Sequence, residues 1–172
     1  MAGSGRISVF ASEDLRTLLA AVKAVPREMR KNIRTYTKRD AQPIWQQEVQ
    51  GRVMSRLDDR VLGKTSRVAV SDQNVMLQSA RIGKALSGGA KPAMLAGGVE
   101  FGADRNAETT YDTTSRKGRR YRVTRHTKRQ LPSRNTNGRI VYASSRDSIP
   151  RLASLWVQTA ARTLYDALEG RK

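Results

Sequence analysis

Across residues 26–62, apolar side chains return every three or four positions, at Met29, Ile33, Tyr36, Ile44, Trp45, Val49, Val53 and Leu57. That spacing lines them along one side of an α-helix. The other side carries Arg27, Arg30, Lys31, Arg34, Lys38 and Arg39, a solvated basic face. Pro26 suits the first turn, where a missing N–H costs nothing. Pro43 removes an internal hydrogen bond and crowds the turn before it, which predicts a kink. Gly51 weakens the second half by roughly 1 kcal/mol relative to Ala. The stretch reads as one long kinked helix or as two helices broken at Gln42–Pro43. A single helix of this length spans a small domain, so the remaining elements must be arranged along it.

The flanking segments are shorter. Residues 6–11, with Ile7, Val9 and Phe10, form a candidate edge strand. Ser12 has N-cap chemistry, and Glu13 and Asp14 favour the positive end of a helix dipole. Leu15, Leu18, Leu19, Val22 and Val25 supply that helix with an apolar stripe. Residues 67–71 and 75–82 read as two strands of a hairpin around a turn at 72–74. Residues 92–102 fit either a helix opened by Pro92 and closed by Gly102 or a strand through Val99 and Phe101. Residues 140–142 are a short strand candidate. A last helix is capped by Asp147 or Ser148 and accepts Pro150 in its first turn. Ile149, Leu152, Trp156, Ala160, Leu164 and Ala167 share one of its faces, and Gly170 ends it. Trp45, Phe101, Trp156 and Leu164 are the candidates for the core or a subunit interface.

Charge decides how residues 103–138 are read. The chain carries 33 Lys and Arg against 15 Asp and Glu, a net charge of +18. Residues 116–139 hold ten of those cations and no acid. Burying unpaired charge is prohibitively costly, so these side chains must be solvated or paired across an interface. The segment is expected to be a basic extended arm or long hairpin loop inserted before the C-terminal helix. Arg116, Lys117, Arg119, Arg120, Arg122, Arg125, Lys128 and Arg129 are the candidate contacts to nucleic acid or to an acidic partner, with Tyr111 and Tyr121 placed for stacking. Such contacts would be independent of nucleic-acid sequence, because no helix-turn-helix, zinc-finger or RNA-recognition signature is present.

Catalytic signatures are missing. The single histidine, His126, lies among Arg125, Lys128 and Arg129 and reads as an exposed loop residue. There is no GxxxxGK[ST], GxGxxG or GxSxG motif, and the chain has no cysteine. Asp58 and Asp59 are adjacent and diverge on a helix; Glu100, Asp104, Glu108 and Asp112 are spread along the chain. A metal-dependent nuclease needs carboxylates that converge. The expectation is a protein without catalytic residues, metal or cofactor. No apolar run is long enough to cross a membrane, and the first residues lack a signal-peptide core.

The order of elements carries a resemblance. A short helix (LRTLLAAVKAVPREMRK) leads into a long helix passing through a proline (KRDAQPIW), then a hairpin. A central GGVEFGA and a terminal RIVYASSRDSIPRLASLWVQTAARTLYDALEG follow. This resembles the small neck or tail-completion proteins of long-tailed bacteriophages, over residues 12–170, with Val99-Glu100-Phe101-Gly102 as its sharpest motif. The resemblance implies an α+β fold with helices packed on a small, mainly antiparallel sheet; the length suits a single domain, 1–172, in which the long kinked N-terminal helix and the C-terminal helix would be those helices. The resemblance also implies a homo-oligomeric ring, hexameric by preference, at the head–tail junction of the virion, assembled in the host cytoplasm. Its neighbours would be connector or stopper and tail proteins, with genomic DNA passing through the channel. The charge departs from that pattern: six copies at +18 each carry +108, which a bare ring could not hold without DNA or acidic neighbours.

Overall fold

A computed structural model describes residues 6–7, 13–71, 74–126 and 128–169. The fold is mixed α+β. In chain order it comprises β1 (Arg6–Ile7), α1 (Glu13–Ala24), α2 (Arg27–Gln50), α3 (Arg56–Asp58) running into a π-helical turn (Asp59–Gly63), β2 (Arg67–Val70) and β3 (Val75–Gln78). Helix α4 (Pro92–Phe101), strands β4 (Thr109–Thr114) and β5 (Arg120–Arg125), and helix α5 (Val141–Leu168) complete it. One antiparallel sheet has the order β1-β3-β2, with β1 contributing two residues; the other is the β4-β5 hairpin. The Ser12 cap, strand residues 8–11, the centre of the turn at 72–74 and Gly170 lie outside the described residues.

Helices α2 and α5 are the frame. Buried residues recur every fourth position on both, at Ile33, Thr37, Ala41, Trp45 and Val49 and at Ser144, Ser148, Leu152, Trp156 and Ala160. Each set forms one ridge of its helix. The two helices run antiparallel. The C-terminal end of α2 meets the start of α5, where Ser144 Oγ donates to Glu48 O at 3.0 Å and Arg151 pairs with Glu48 at 3.1 Å. Arg52 bridges Glu48, at 3.1 Å, and Asp147. At the other end Ile33 and Ala160 join Val22 of α1. The sheet is tied to α2 by side chains. Gln42 accepts from Val68 N at 2.8 Å and donates to Ser66 O at 3.3 Å, and the Trp45 indole donates to Gln78 O at 3.1 Å.

The long helix is continuous through Pro43, so a break at Gln42–Pro43 does not occur. It stops at Gln50, twelve residues short of the expected end. Two causes coincide there. Gly51 is a poor helix former, and Ser55 starts a new helix with a capping box: its Oγ accepts from Asp58 N, and the Asp58 carboxylate accepts from Ser55 N, both at 3.1 Å. Tyr36, assigned to the apolar stripe, is 41% exposed and lies against the Arg39 guanidinium. Strand β3 ends at Gln78, not at residue 82, because Ala80 turns to φ 58° and donates its N–H to Thr65 Oγ1.

Residues 92–102 resolve as helix α4, opened by Pro92 and closed by Gly102. The C-terminal helix starts six residues before the expected Asp147 cap. Residues 140–142 therefore open a helix and do not form a strand, and Pro150 sits inside it. The reason is a cap supplied from elsewhere in the chain. Glu100, at the end of α4, is 3% exposed, and its carboxylate accepts the N–H groups of Ile140, Val141 and Tyr142 at 2.9–3.2 Å. Those are orphan donors of the first turn of α5, and a negative charge is favoured at that end. Ile149 is exposed; Ser144 and Ser148 take the buried positions of the first turns.

Candidate binding site: the basic hairpin and its root

Strands β4 (TTYDTT) and β5 (RYRVTR) are rich in β-branched and aromatic residues, which favour an extended ribbon. The turn between them is specified by Ser115 and Gly118. Gly118 N donates to Ser115 O at 2.9 Å, Arg119 N to Ser115 Oγ at 3.1 Å, and Ser115 N to Arg119 O at 2.9 Å. Gly118 adopts φ 79°, the left-handed conformation that closes a three-residue hairpin loop.

Register divides the ribbon into two faces. Tyr111 opposes Val123, Thr113 opposes Tyr121 and Thr109 opposes Arg125 on one face. The Arg125 guanidinium lies 5.9 Å from the centre of the Tyr111 ring there. On the other face Asp112 pairs with Arg122 at 3.1 Å and Thr110 with Thr124 at 2.9 Å. Only Thr113 and Val123 of the twelve strand residues are half-buried; the other ten are exposed. The hairpin therefore does not lie on the core.

Its root is fixed to the core. Ala103 N donates to Pro132 O at 3.0 Å, Asn135 N to Phe101 O at 2.7 Å, and Ala103 and Ser133 form a parallel bridge. Gly102, at φ 68°, makes this approach possible, since a Cβ there would stand 2.2 Å from Ser133 O. His126 is half-buried at the base of the hairpin and faces Glu108 at 3.4 Å, which corrects its reading as an exposed loop residue.

The candidate cations occupy different places. Arg116, Lys117 and Arg119 project from the turn and Arg120 from the first position of β5; Lys128 and Arg129 follow the hairpin, and all six are exposed. Arg122 and Arg125 are engaged within the hairpin, by Asp112 and Tyr111. Arg139 turns inward, donating to Val99 O at 3.1 Å and lying 3.6 Å from Asp58. A cavity of about 650 Å³ at the root of the hairpin gathers Arg105, Arg129 and Arg134. Arg105 and Arg134 were not singled out from the sequence; their only signal was membership of the same apolar-poor segment. Of the core candidates, Trp45 and Trp156 are buried, while Phe101 and Leu164 are half-buried, Phe101 with its ring 5.2 Å from that of Tyr142.

The acids do not converge. Glu100 caps α5, Asp104 accepts from Asn106 N at 3.0 Å, Glu108 faces His126 and Asp112 pairs with Arg122. Among the described residues no three His, Asp or Glu side chains are grouped to hold a metal, and no helix is long and apolar enough to cross a membrane. No known protein family, curated protein or solved structure is found to match the chain.

Proposed function

We propose that this chain is a structural, non-catalytic subunit of a bacteriophage head–tail junction, assembling as a ring and using the β4–β5 hairpin to contact what lies next to it. The observation that carries this reading is the hairpin: a ribbon exposed on both faces, tipped with cations and anchored through Gly102 beside the Glu100 cap. A two-stranded hairpin on its own is at best marginally stable in water, so an exposed ribbon hydrogen-bonded to the body at its root suits a limb completed by a partner. The element order that resembles the neck proteins supports the same reading.

Native mass spectrometry and negative-stain electron microscopy test it, together with analysis of purified virions. The expected result is a closed ring, six-membered by preference, and presence of the chain in virions. A chain that is monomeric at every concentration and absent from virions overturns the proposal. The second reading is a free-standing basic protein that binds DNA or RNA without sequence preference, and the three-arginine cavity at the hairpin root favours it.

A further inference from the structure

We propose that the tip of the hairpin and the cavity at its root form one phosphate-binding surface, and that its partner is the backbone of a nucleic-acid duplex, not a second copy of this chain. The inference rests on reading the hairpin as the contacting limb and names what that limb contacts.

Seven cations define two poles. Arg116, Lys117, Arg119 and Arg120 cluster at the tip; Arg105, Arg129 and Arg134 line the root cavity. All seven are exposed, and none has an ion pair among the described residues. Asp104 also lines the cavity, but its Oδ1 accepts the Asn106 N–H, leaving one engaged acid beside three guanidinium groups. Guanidinium forks suit phosphate oxygens, which they bind through paired hydrogen bonds.

The spacing fits a duplex. Strand β5 runs from Arg120 at the tip to Arg125 at the base, a rise of about 17 Å from first to last residue. The major groove is about 12 Å wide and admits a two-stranded ribbon. A hairpin laid across it brings the tip to phosphates on one bank and the root to phosphates on the other. Tyr111, Val123 and Tyr121 then occupy the face between the poles and contribute contact area without a hydrogen-bond code.

A second copy, with 15 acids against 33 cations, offers no density of negative charge equivalent to a duplex. Glu48, Asp58, Asp59, Asp112 and Asp147 are each ion-paired within their own chain, and Glu100 is buried on backbone N–H groups. What remains on a chain of net charge +18 is repulsive toward another hairpin. A duplex presents one negative charge per about 1.7 Å of axis, a density that matches two clusters of unpaired cations.

The test uses the full chain and a fluorescent mixed-sequence duplex of about 30 bp, titrated by anisotropy between about 50 and 200 mM salt. Seven phosphate contacts predict a slope of log affinity against log salt of about −6.3. The root variant Arg105→Gln/Arg129→Gln/Arg134→Gln should lower the magnitude of that slope by about 2.7, and the tip variant Arg116→Gln/Lys117→Gln/Arg119→Gln/Arg120→Gln by about 3.6. Because the substituted side chains are exposed, both variants should melt with the parent; the single variant Lys117→Gln, with a slope change of about 1, gives an independent reading. The proposal is overturned by absence of duplex binding at low salt or by a root variant with an unchanged slope. Single strands preferred over the duplex, or poly-glutamate bound as tightly as the duplex, overturn it too. If duplex binding fails while the chain is found in virions, this inference falls and the neck reading stands. If duplex binding holds but virions lack the chain, the neck reading falls alone.

Discussion

In α2 and α5 every fourth residue from Ile33 to Val49 and from Ser144 to Ala160 is buried, whereas in β4 and β5 ten of twelve residues are exposed. The helices carry two tryptophans and a set of aliphatic side chains in the main core cluster, and Ile33 and Ala160 join Val22 in a second. The hairpin is held by its own ladder, the Asp112–Arg122 ion pair, the Thr110–Thr124 pair, the Arg125–Tyr111 contact and its root. Stability and surface chemistry are thus assigned to different parts of the chain. A core position is constrained by its neighbours on every side, so its identity is fixed by packing. A hairpin position has only its cross-strand partner to satisfy, so it is free to carry charge that no core could accept.

Substitutions in the two regions should differ accordingly. The largest effect is expected at Trp156, which is 5% exposed between α5 and the core. Trp156→Ala should destabilise the fold by about 3–5 kcal/mol. Tyr121→Ser, on the exposed ribbon, should change stability by no more than about 0.5 kcal/mol. Denaturant unfolding of the two variants measures the difference directly; equal losses would mean that the hairpin belongs to the cooperative core.

Glu100 joins the two regions, and its replacement should rank second. Glu100→Gln keeps the size of the side chain but removes the charge that accepts three backbone N–H groups at the start of α5. The expected cost is about 1.5–3 kcal/mol, with fraying of the first turn of α5 visible in amide chemical shifts. A variant as stable as the parent would show that the carboxylate is not what starts the helix.

Removing the hairpin should cost less. Replacing residues 109–125 by a short Gly/Ser linker should leave the helical circular dichroism of α2 and α5 intact and shift the unfolding free energy by about 1 kcal/mol or less. Loss of the cooperative transition would place the ribbon inside the folding unit.

The smallest effect concerns acid. The Asp59 carboxyl lies below its ordinary value, chiefly through the hydrogen bond from Gln50 and then through Lys64, with burial opposing. A carboxyl depressed in the folded state contributes stability that is fully present above its unfolded value and lost as pH falls through its folded value. The gap between parent and Asp59→Asn should therefore be at most about 1 kcal/mol at neutral pH and should close below about pH 4. A gap that widens on acidification contradicts this sign.

The periodic elements were legible in the sequence, and the places where legibility failed share a cause. Trp45, Val49, Leu152 and Trp156 announce the two long helices because burial against a core imposes a helical repeat. The end of α2 at Gln50 is written locally as Gly51 and the Ser55-x-x-Asp58 box, a signal the long apolar repeat obscured. The start of α5 is not written locally at all: its cap is Glu100, forty residues earlier, so Asp147 and Ser148 were the nearest plausible substitutes. The hairpin strand β4 lacks an apolar alternation because neither of its faces is buried, and its threonines and Tyr111 are its local signal. The root cavity joins Arg105 to Arg129 and Arg134 through the Ala103–Ser133 bridge, a contact between segments that no local pattern encodes.

Amide hydrogen exchange on the isolated chain, without and with duplex, tests the separation of body and limb most directly. The amides around Trp45, Val49, Leu152 and Trp156 should exchange slowly, near the limit set by global unfolding, and those of residues 109–125 should exchange faster by orders of magnitude. Adding duplex should slow exchange in residues 109–125 and leave the helices unchanged. Hairpin amides as protected as those of α2 and α5 in the free chain would contradict the separation.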